Sequence, residues 1–570
     1  MNPLKYLFFL MLPLCILHTG CGDFMDTAVE TRYLEEDVFV DYSRISKTGY
    51  GVYTALFSFG FDRISSAMLA SACDEADHAD VNSSVHYFNN GTWTATSNPD
   101  NVWSTFYTAI RRANMFLEES ADYRLILLRD TLIPSNRENY LYQVRDIEWL
   151  RAEVRFLRAF YHLELLKRYG GIPVMKEVID DESTLVNRQR DSFETGVNFV
   201  VDECDAVIPL LKDSWVDFDG NKWRGRATKG AAQALKTRAL LYAASPLNNP
   251  ANDPDKWIRA AQAAHDIIRA GLYSLHTDYG GLFNLGNGSD GNPEVLFAVQ
   301  RWNENTFEKN NYPVGYDQGG QAVTCPSQNL VNAYEMKATG KTIGEPGSGY
   351  DPEKPYDGRD PRLTMSVIVN NSTFNGRKVE CWVGGIDGIG KLKATTTGYY
   401  LKKYVRENLN LTQNQTGVHS WILFRYGEVL LNYAEAMNEA YGPESKGGLT
   451  MSAKAAIDAV RSRNGVAMPV LPPGLTQDEM RERIRNERRV ELAFEEHRFF
   501  DVRRWKIAMT TENLPLMAMQ TVKTSWNDEF EYLVFKKENR IFKEYMYLHP
   551  IPETEVLKGA LVQNPGWEWE

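Results

Sequence analysis

Tyr142 to Arg168 reads YQVRDIEWLRAEVRFLRAFYHLELLKR and runs into Tyr169-Gly170-Gly171-Ile172-Pro173. Apolar side chains recur at Ile147, Leu150, Val154, Leu157, Tyr161 and Leu165, three and four residues apart, which paints one face of an α-helix. The glycines accept a left-handed cap and the proline blocks continuation, so the helix is predicted to stop there. Arg151, Arg155 and Arg158 interleave with Glu153 at helical spacing, and charge pairing that stitches this helix to its neighbours is the simplest use for them.

The same pattern extends in both directions. Thr228 to Tyr242 and Trp257 to Ala270 read as two more helices, the first ending at Ser245-Pro246-Leu247-Asn248-Asn249-Pro250. Ile422, Tyr426, Val429, Leu430, Tyr433 and Met437 form another stripe, and Ala455 to Arg463 a short helix. Thr476-Gln477-Asp478-Glu479 has capping-box spacing and opens a helix through Phe494. Residues 281–420 hold 19 of the 41 glycines in about a quarter of the chain, which marks a loop-rich insertion with short strands. The pattern gives an all-α fold of stacked helix pairs, with helical regions at 38–280 and 421–570 flanking the insertion at 281–420.

At the N-terminus, Lys5 precedes twelve mostly apolar residues, Tyr6 to Leu17, and Thr19-Gly20 leads to Cys21. This apolar stretch suits a signal peptide and falls short of the ~20 residues that span a bilayer as a helix. Residues 1–20 are therefore read as a lipoprotein signal, Cys21 as the lipidated residue and 21–37 as an acidic tether. The formal net charge of −12 opposes a phosphate backbone and argues against a nucleic-acid partner. Cys73, Cys204, Cys325 and Cys381 are scattered without a C-x-x-C pair, so neither a zinc site nor a dense disulfide framework is expected, though one or two bridges stay open.

Further blocks stand along the chain in this order: Gly225-Arg226-Ala227-Thr228-Lys229-Gly230, Leu241-Tyr242-Ala243-Ala244-Ser245-Pro246, Pro326-Ser327-Gln328-Asn329-Leu330-Val331 and Asp357-Gly358-Arg359-Asp360-Pro361-Arg362. Arg425-Tyr426-Gly427-Glu428, Glu487-Arg488-Arg489-Val490-Glu491 and Gln563-Asn564-Pro565-Gly566 follow. With Arg151 to Tyr161 and Lys167 to Pro173, the set resembles the SusD/RagB lipoproteins of Bacteroidetes-type bacteria over nearly the whole mature chain. The resemblance implies a tetratricopeptide-like helix-pair stack, a lipid anchor on the outer face of the outer membrane, and a SusC-like TonB-dependent transporter as partner. It also implies capture of glycan, less often peptide, for import without chemistry, so the chain is read as a non-enzyme. Two rival readings stay open: an all-α glycoside hydrolase or lyase using paired carboxylates, and a protein-binding scaffold of the importer without glycan affinity.

Glycan capture needs a flat aromatic face beside groups that fix hydroxyl orientation. Asp74 and Asp77 through Trp93 to Asn98 and Asn101 supply both, in a segment where the resemblance places ligand contacts by position only. Arg301 and Trp302, with Tyr312 and Tyr316 nearby, form a second group, and Trp382 a third. Trp103 falls on the apolar face with Tyr107 and Ile110 and is read as core. Gly286 to Gly291 fits G-x-G-x-x-G, but Asn292-Pro293 follows where a helix should start, and Gly385 to Lys391 lacks a magnesium-binding hydroxyl after its lysine. Both are read as turns. No cofactor and no metal centre is expected, with Asp217 and Asp219 the only loop carboxylates singled out for structural calcium.

Overall fold

A computed structural model describes residues 39–216, 218–221, 223–286, 291–315, 320–525 and 527–567. Cys21, the signal and the tether, together with Tyr316, Asp217 and most of the 286–291 turn, lie outside the described residues. The main helices are α1 (Tyr42–Gly51), α2 (Trp103–Glu119), α3 (Tyr140–Tyr169), α4 (Phe193–Val207), α5 (Lys229–Ala244), α6 (Pro254–Ala270), α7 (Tyr426–Tyr441), α8 (Ala453–Arg461) and α9 (Gln477–Glu491). The main strands are β1 (Ala76–His78), β2 (Val295–Glu304), β3 (Thr324–Pro326), β4 (Gly417–Arg425), β5 (Leu516–Lys523) and β6 (Phe530–Glu538).

Helix α3 is the axis of the fold. From Asp146 to Tyr169 it is buried nearly all round, as a helix surrounded by other elements must be. It ends where the sequence places its stop: Gly170 takes φ +71°, and its N–H donates to the Leu166 carbonyl. Helices α2 and α4 both pack on α3, and packing continues serially through α5, α6 and α7 to α8 and α9. Each fully buried Leu or Phe along α3, such as Leu157 and Phe160, adds about 1.5–3 kcal/mol of burial free energy. Thr476 closes the expected capping box with Glu479 at the start of α9.

The arginines and acids of the quoted blocks join helices to one another. Arg155 and Arg158 of α3 pair with Glu203 of α4, each at 2.8 Å, while Arg158 also donates to Asn114 of α2. Glu153 accepts from Arg226 and from the Tyr53 hydroxyl. On α9, Glu487 meets Arg362 and Arg461, Arg488 meets Asp501, and Glu491 meets Arg362, Arg425 and Arg463.

The expectation of an all-α fold with short strands in its insertion holds in its coarser part, a helix-rich chain with small sheets. The described chain is 42% helical and 11% strand, and its strands form five two-stranded sheets that are not confined to the insertion. Strand β1 pairs with β3, β2 with β4, and β5 with β6, all antiparallel. Ile422, read as the start of a helical stripe, lies in β4, where Ser420 to Phe424 are buried on both faces, and helix begins only at Tyr426. One core cluster runs from Ile45 through the 281–420 region to Ile551. A second gathers Phe88, Trp93, Phe499, Phe500, Tyr547 and Trp567. Cys73, Cys204, Cys325 and Cys381 are buried free thiols, and burial pushes each thiol pKa up.

Candidate functional site

Strand β2 pairs with β4 until Gln300 faces Ser420, then resumes with Asn303 facing Val418, so Arg301 and Trp302 together oppose a single residue. Such a bulge bends the strand and re-aims its side chains. Trp302 emerges 77% exposed, the most exposed aromatic ring among the large hydrophobic side chains described. One ring face stacks on Phe57, with centroids 6.1 Å apart and planes 17° from parallel. Arg301 fixes the loop beneath by donating to the Phe57 carbonyl at 2.8 Å and pairing with Asp62 at 2.7 Å.

The loop from Phe57 to Arg63 can lie here because Gly60, at φ +101°, has no Cβ. A Cβ would stand 2.9 Å from the buried Trp421 ring. Arg63 donates to the Ser58 carbonyl and pairs with Asp100, which also accepts from Arg168 at 2.7 Å. Burial alone would raise the Asp100 carboxyl, but Arg168 and Arg63 hold it down at about 2. Asp100 sits between Asn98 and Asn101, so the platform loop and the 98–101 loop are joined through an ion pair. Asn98 accepts from the Asp100 N–H and lies 3.5 Å from the His549 ring. Exposed Asn101 accepts from the Tyr169 hydroxyl and the Trp103 N–H.

The other predicted residues lie elsewhere. Trp93 is 2% exposed and enclosed by Phe88, His549 and Trp567, so its ring faces are spent on core packing. Asp74 is buried between Arg489 and Arg498, at 2.8 Å from each, and Asp77 is buried with Thr396 donating to it at 2.6 Å. Neither carboxylate presents itself beside Trp302 as an orienting group. Trp382 is half-buried, tilted against Phe530 with Lys523 4.8 Å over its ring. Tyr312 is fully buried, its hydroxyl donating to the Arg406 carbonyl. Trp103 is 5% exposed, within the core. Asp219 accepts from Trp223 and Tyr142 side chains.

Phe57, Asp62 and Arg63 were not singled out by sequence. The run Phe57-Ser58-Phe59-Gly60-Phe61-Asp62, with aromatics at alternate positions around a glycine, was the available signal. A hollow of about 620 Å³ lies between α2 and residues 173–188 and 555–561, lined by Tyr107, Arg111, Met175, Leu185 and Lys558. None of the predicted ligand residues lines it.

Next to Asp74, Glu75 is 2% exposed and its carboxyl is pushed up to about 8, first by burial and then by the Asp74 charge. A raised carboxyl contributes stability that is intact below the unfolded value near ~4.3 and lost as pH rises through the folded value. Glu75→Gln removes that dependence. Relative to the variant, the parent should lose about 2–4 kcal/mol of unfolding free energy between pH 5 and pH 9, measured by urea unfolding. Parallel curves for the two proteins would contradict the assignment.

Fold and surface together define a helix-layered protein that carries an aromatic stacking face on a strand bulge. Residues 293–567 match the family model described as "SusD family", and residues 33–241 match one described as "Starch-binding associating with outer membrane". The chain belongs to the SusD/RagB family. Among relatives, it is 23% identical over 431 residues to SusD-like protein P2 of Formosa agariphila, spanning 73% of this chain and 74% of that one. Among solved structures, a SusD-like protein of Bacteroides fragilis aligns at 26% identity and a TM-score of 0.75, covering 93% of this chain and 98% of that one. A SusD-like carbohydrate binding protein of the same species aligns at 23% identity and 0.71, covering 92% and 99%. Among the described residues, no helix is long and apolar enough to cross a membrane.

Proposed function

We propose that this chain is a cell-surface, lipid-anchored glycan-binding protein that captures oligo- or polysaccharide and hands it, uncut, to a SusC-like TonB-dependent transporter of the outer membrane. The observation that carries this reading is the exposed Trp302 ring, stacked on Phe57 and bordered by Arg301 and Asp62. A pyranose ring laid on the free indole face removes apolar C–H surface from water, while guanidinium and carboxylate edges meet its hydroxyls. Asn98 and Asn101 flank Asp100, whose buried ion pair with Arg63 joins their loop to the platform loop. The family description, with its reference to starch and the outer membrane, supports both the ligand class and the location. Cys21 supplies the anchor in this reading: acyl chains contribute about 0.8 kcal/mol per buried CH₂, enough when two or more are present to hold the protein at a membrane.

The test is incubation of the purified protein with a panel of glycans, followed by electrophoretic retardation and sizing of the recovered chains. Retardation with unchanged glycan length is expected. Shortened chains would replace capture by hydrolysis or lysis. Tight binding to the transporter with no glycan retained would leave the scaffold reading in its place.

A further inference from the structure

Asp77, His86 and Glu538 come from distant parts of the sequence, yet a carboxylate oxygen of each acid and a ring nitrogen of the histidine all lie within 4.8 Å of one another. Asp77 is held at the centre of β1, whose pairing places it opposite Cys325 of β3. His86 opens the short helical turn His86–Asn90, and Glu538 is the last residue of β6. Three elements thus converge on one point with three side chains of metal-ligating type.

The state of each side chain points to a ligand. Asp77 is 1% exposed, and while its Oδ2 accepts from Thr396, its Oδ1 is buried without a hydrogen-bond partner. An anionic oxygen left this way is costly unless a cation meets it. The Lys537 ammonium forms a long ion pair with Oδ2 at 3.9 Å, beyond hydrogen-bond reach, and leaves Oδ1 unmet. Arg540 is committed to the Cys73 and Ala76 carbonyls and to one oxygen of Glu538, at 3.0 Å. On His86, Nε2 lies 3.0 Å from the Asp80 carbonyl. That carbonyl can only accept, so it fixes the proton on Nε2 and leaves the Nδ1 lone pair for a metal, the arrangement by which an outer carbonyl orients a metal-binding imidazole.

We propose that Asp77, His86 and Glu538 form a binding site for a divalent first-row transition metal of the zinc type. Two carboxylates supply anionic donors, and the imidazole nitrogen favours such a metal over calcium or magnesium, which take oxygen donors. Ligand atoms at about 2.1 Å from one ion stand about 3.4 Å apart in a tetrahedron, so the site closes by about 1 Å on binding. His86 and Glu538 are half-buried and supply that movement, while buried Asp77 stays fixed. Water completes the coordination. The ion ties β1 to β6, and His78 at the end of β1 lies 3.0 Å from the Ser65 carbonyl.

The test is calorimetric titration of the purified, chelator-treated full chain with Zn²⁺ alone, alongside visible absorption on adding Co²⁺. One equivalent of Zn²⁺ per chain is expected, with Co²⁺ ligand-field bands that Zn²⁺ displaces. His86→Ala and Glu538→Gln should each weaken zinc at least tenfold and remove the Co²⁺ bands. These half-buried positions carry the test, with circular dichroism verifying their fold, because Asp77→Asn alters the core. Zinc binding that is absent, or unchanged in both folded variants, would overturn the site. So would Ca²⁺ binding more tightly than Zn²⁺ with no dependence on His86.

Discussion

Trp302→Ala should weaken glycan binding by about 2 kcal/mol, roughly thirtyfold in Kd, with no loss of folding stability. The magnitude follows from area: one sugar face covering about 80 Å² of apolar surface yields about 2 kcal/mol at 25 cal/mol per Å². Stability should hold because the indole is 77% exposed and its main protein contact is the Phe57 ring. Trp302→Phe, which keeps a smaller flat face, should recover part of the affinity. Trp93→Ala gives the converse result: that ring fills space between Phe88, His549 and Trp567, so stability falls by about 3–5 kcal/mol. Calorimetry against a retained glycan and urea unfolding separate the two. Undiminished affinity in Trp302→Ala would remove the platform from the proposed function.

Glu491→Gln should lower unfolding free energy by about 3–5 kcal/mol at pH 7 while barely altering shape. The Glu491 carboxylate sits among Arg425, Arg463 and Arg362 at 2.8, 2.7 and 2.8 Å, and all four side chains are essentially without solvent contact. Removing its charge leaves three guanidinium groups to share Glu294, Glu487, Glu495 and Asp360, with no water to compensate. Burial alone would raise the Glu491 carboxyl, but Arg463, Arg425 and Arg362 overcome that and hold it well below the usual carboxylate range. A lowered carboxyl contributes stability present above the unfolded value near ~4.3 and lost as pH falls through the folded one. The gap between parent and variant should therefore be full at pH 6–7 and shrink below about pH 4. A gap under about 1 kcal/mol at pH 7 would mean that the network contributes little.

The reach of the sequence is plain from particular residues. The long helix ending at Gly170-Gly171 was legible because helical periodicity and caps are local, and the capping box at Thr476 likewise needs only four residues. Ile422 was misassigned because Trp421 to Phe424 form a short apolar run, and period alone does not separate a strand buried on both faces from a helix. The paired roles of arginine and glutamate in α3 and α9 were legible as helix-joining charge, whereas the partners, such as Glu203 for Arg158 or Arg425 for Glu491, depend on tertiary approach. Trp93 and Trp302 read alike as aromatics near polar residues. Only packing separates them, since a bulge turns one outward and a second core encloses the other. Phe57 and Asp62 stand some 240 positions before the residues they support, beyond any local pattern. Asp77, His86 and Glu538 meet for the same reason without a readable motif.

Asp74, near the start of the chain, is neutralised by Arg489 and Arg498, and Arg540 donates to the Cys73 and Ala76 carbonyls beside it. The residues from Arg489 onward therefore act as a keystone for the segment around Asp74. A ribosome-bound or partly exported chain that lacks them has a carboxylate and two carbonyls destined for the interior with nothing to receive them. Completion of the body must wait for the last segment, as expected when contacts join the two ends of a long chain. A premature stop anywhere before residue 489 should then abolish the folded N-terminal half as well as the missing tail.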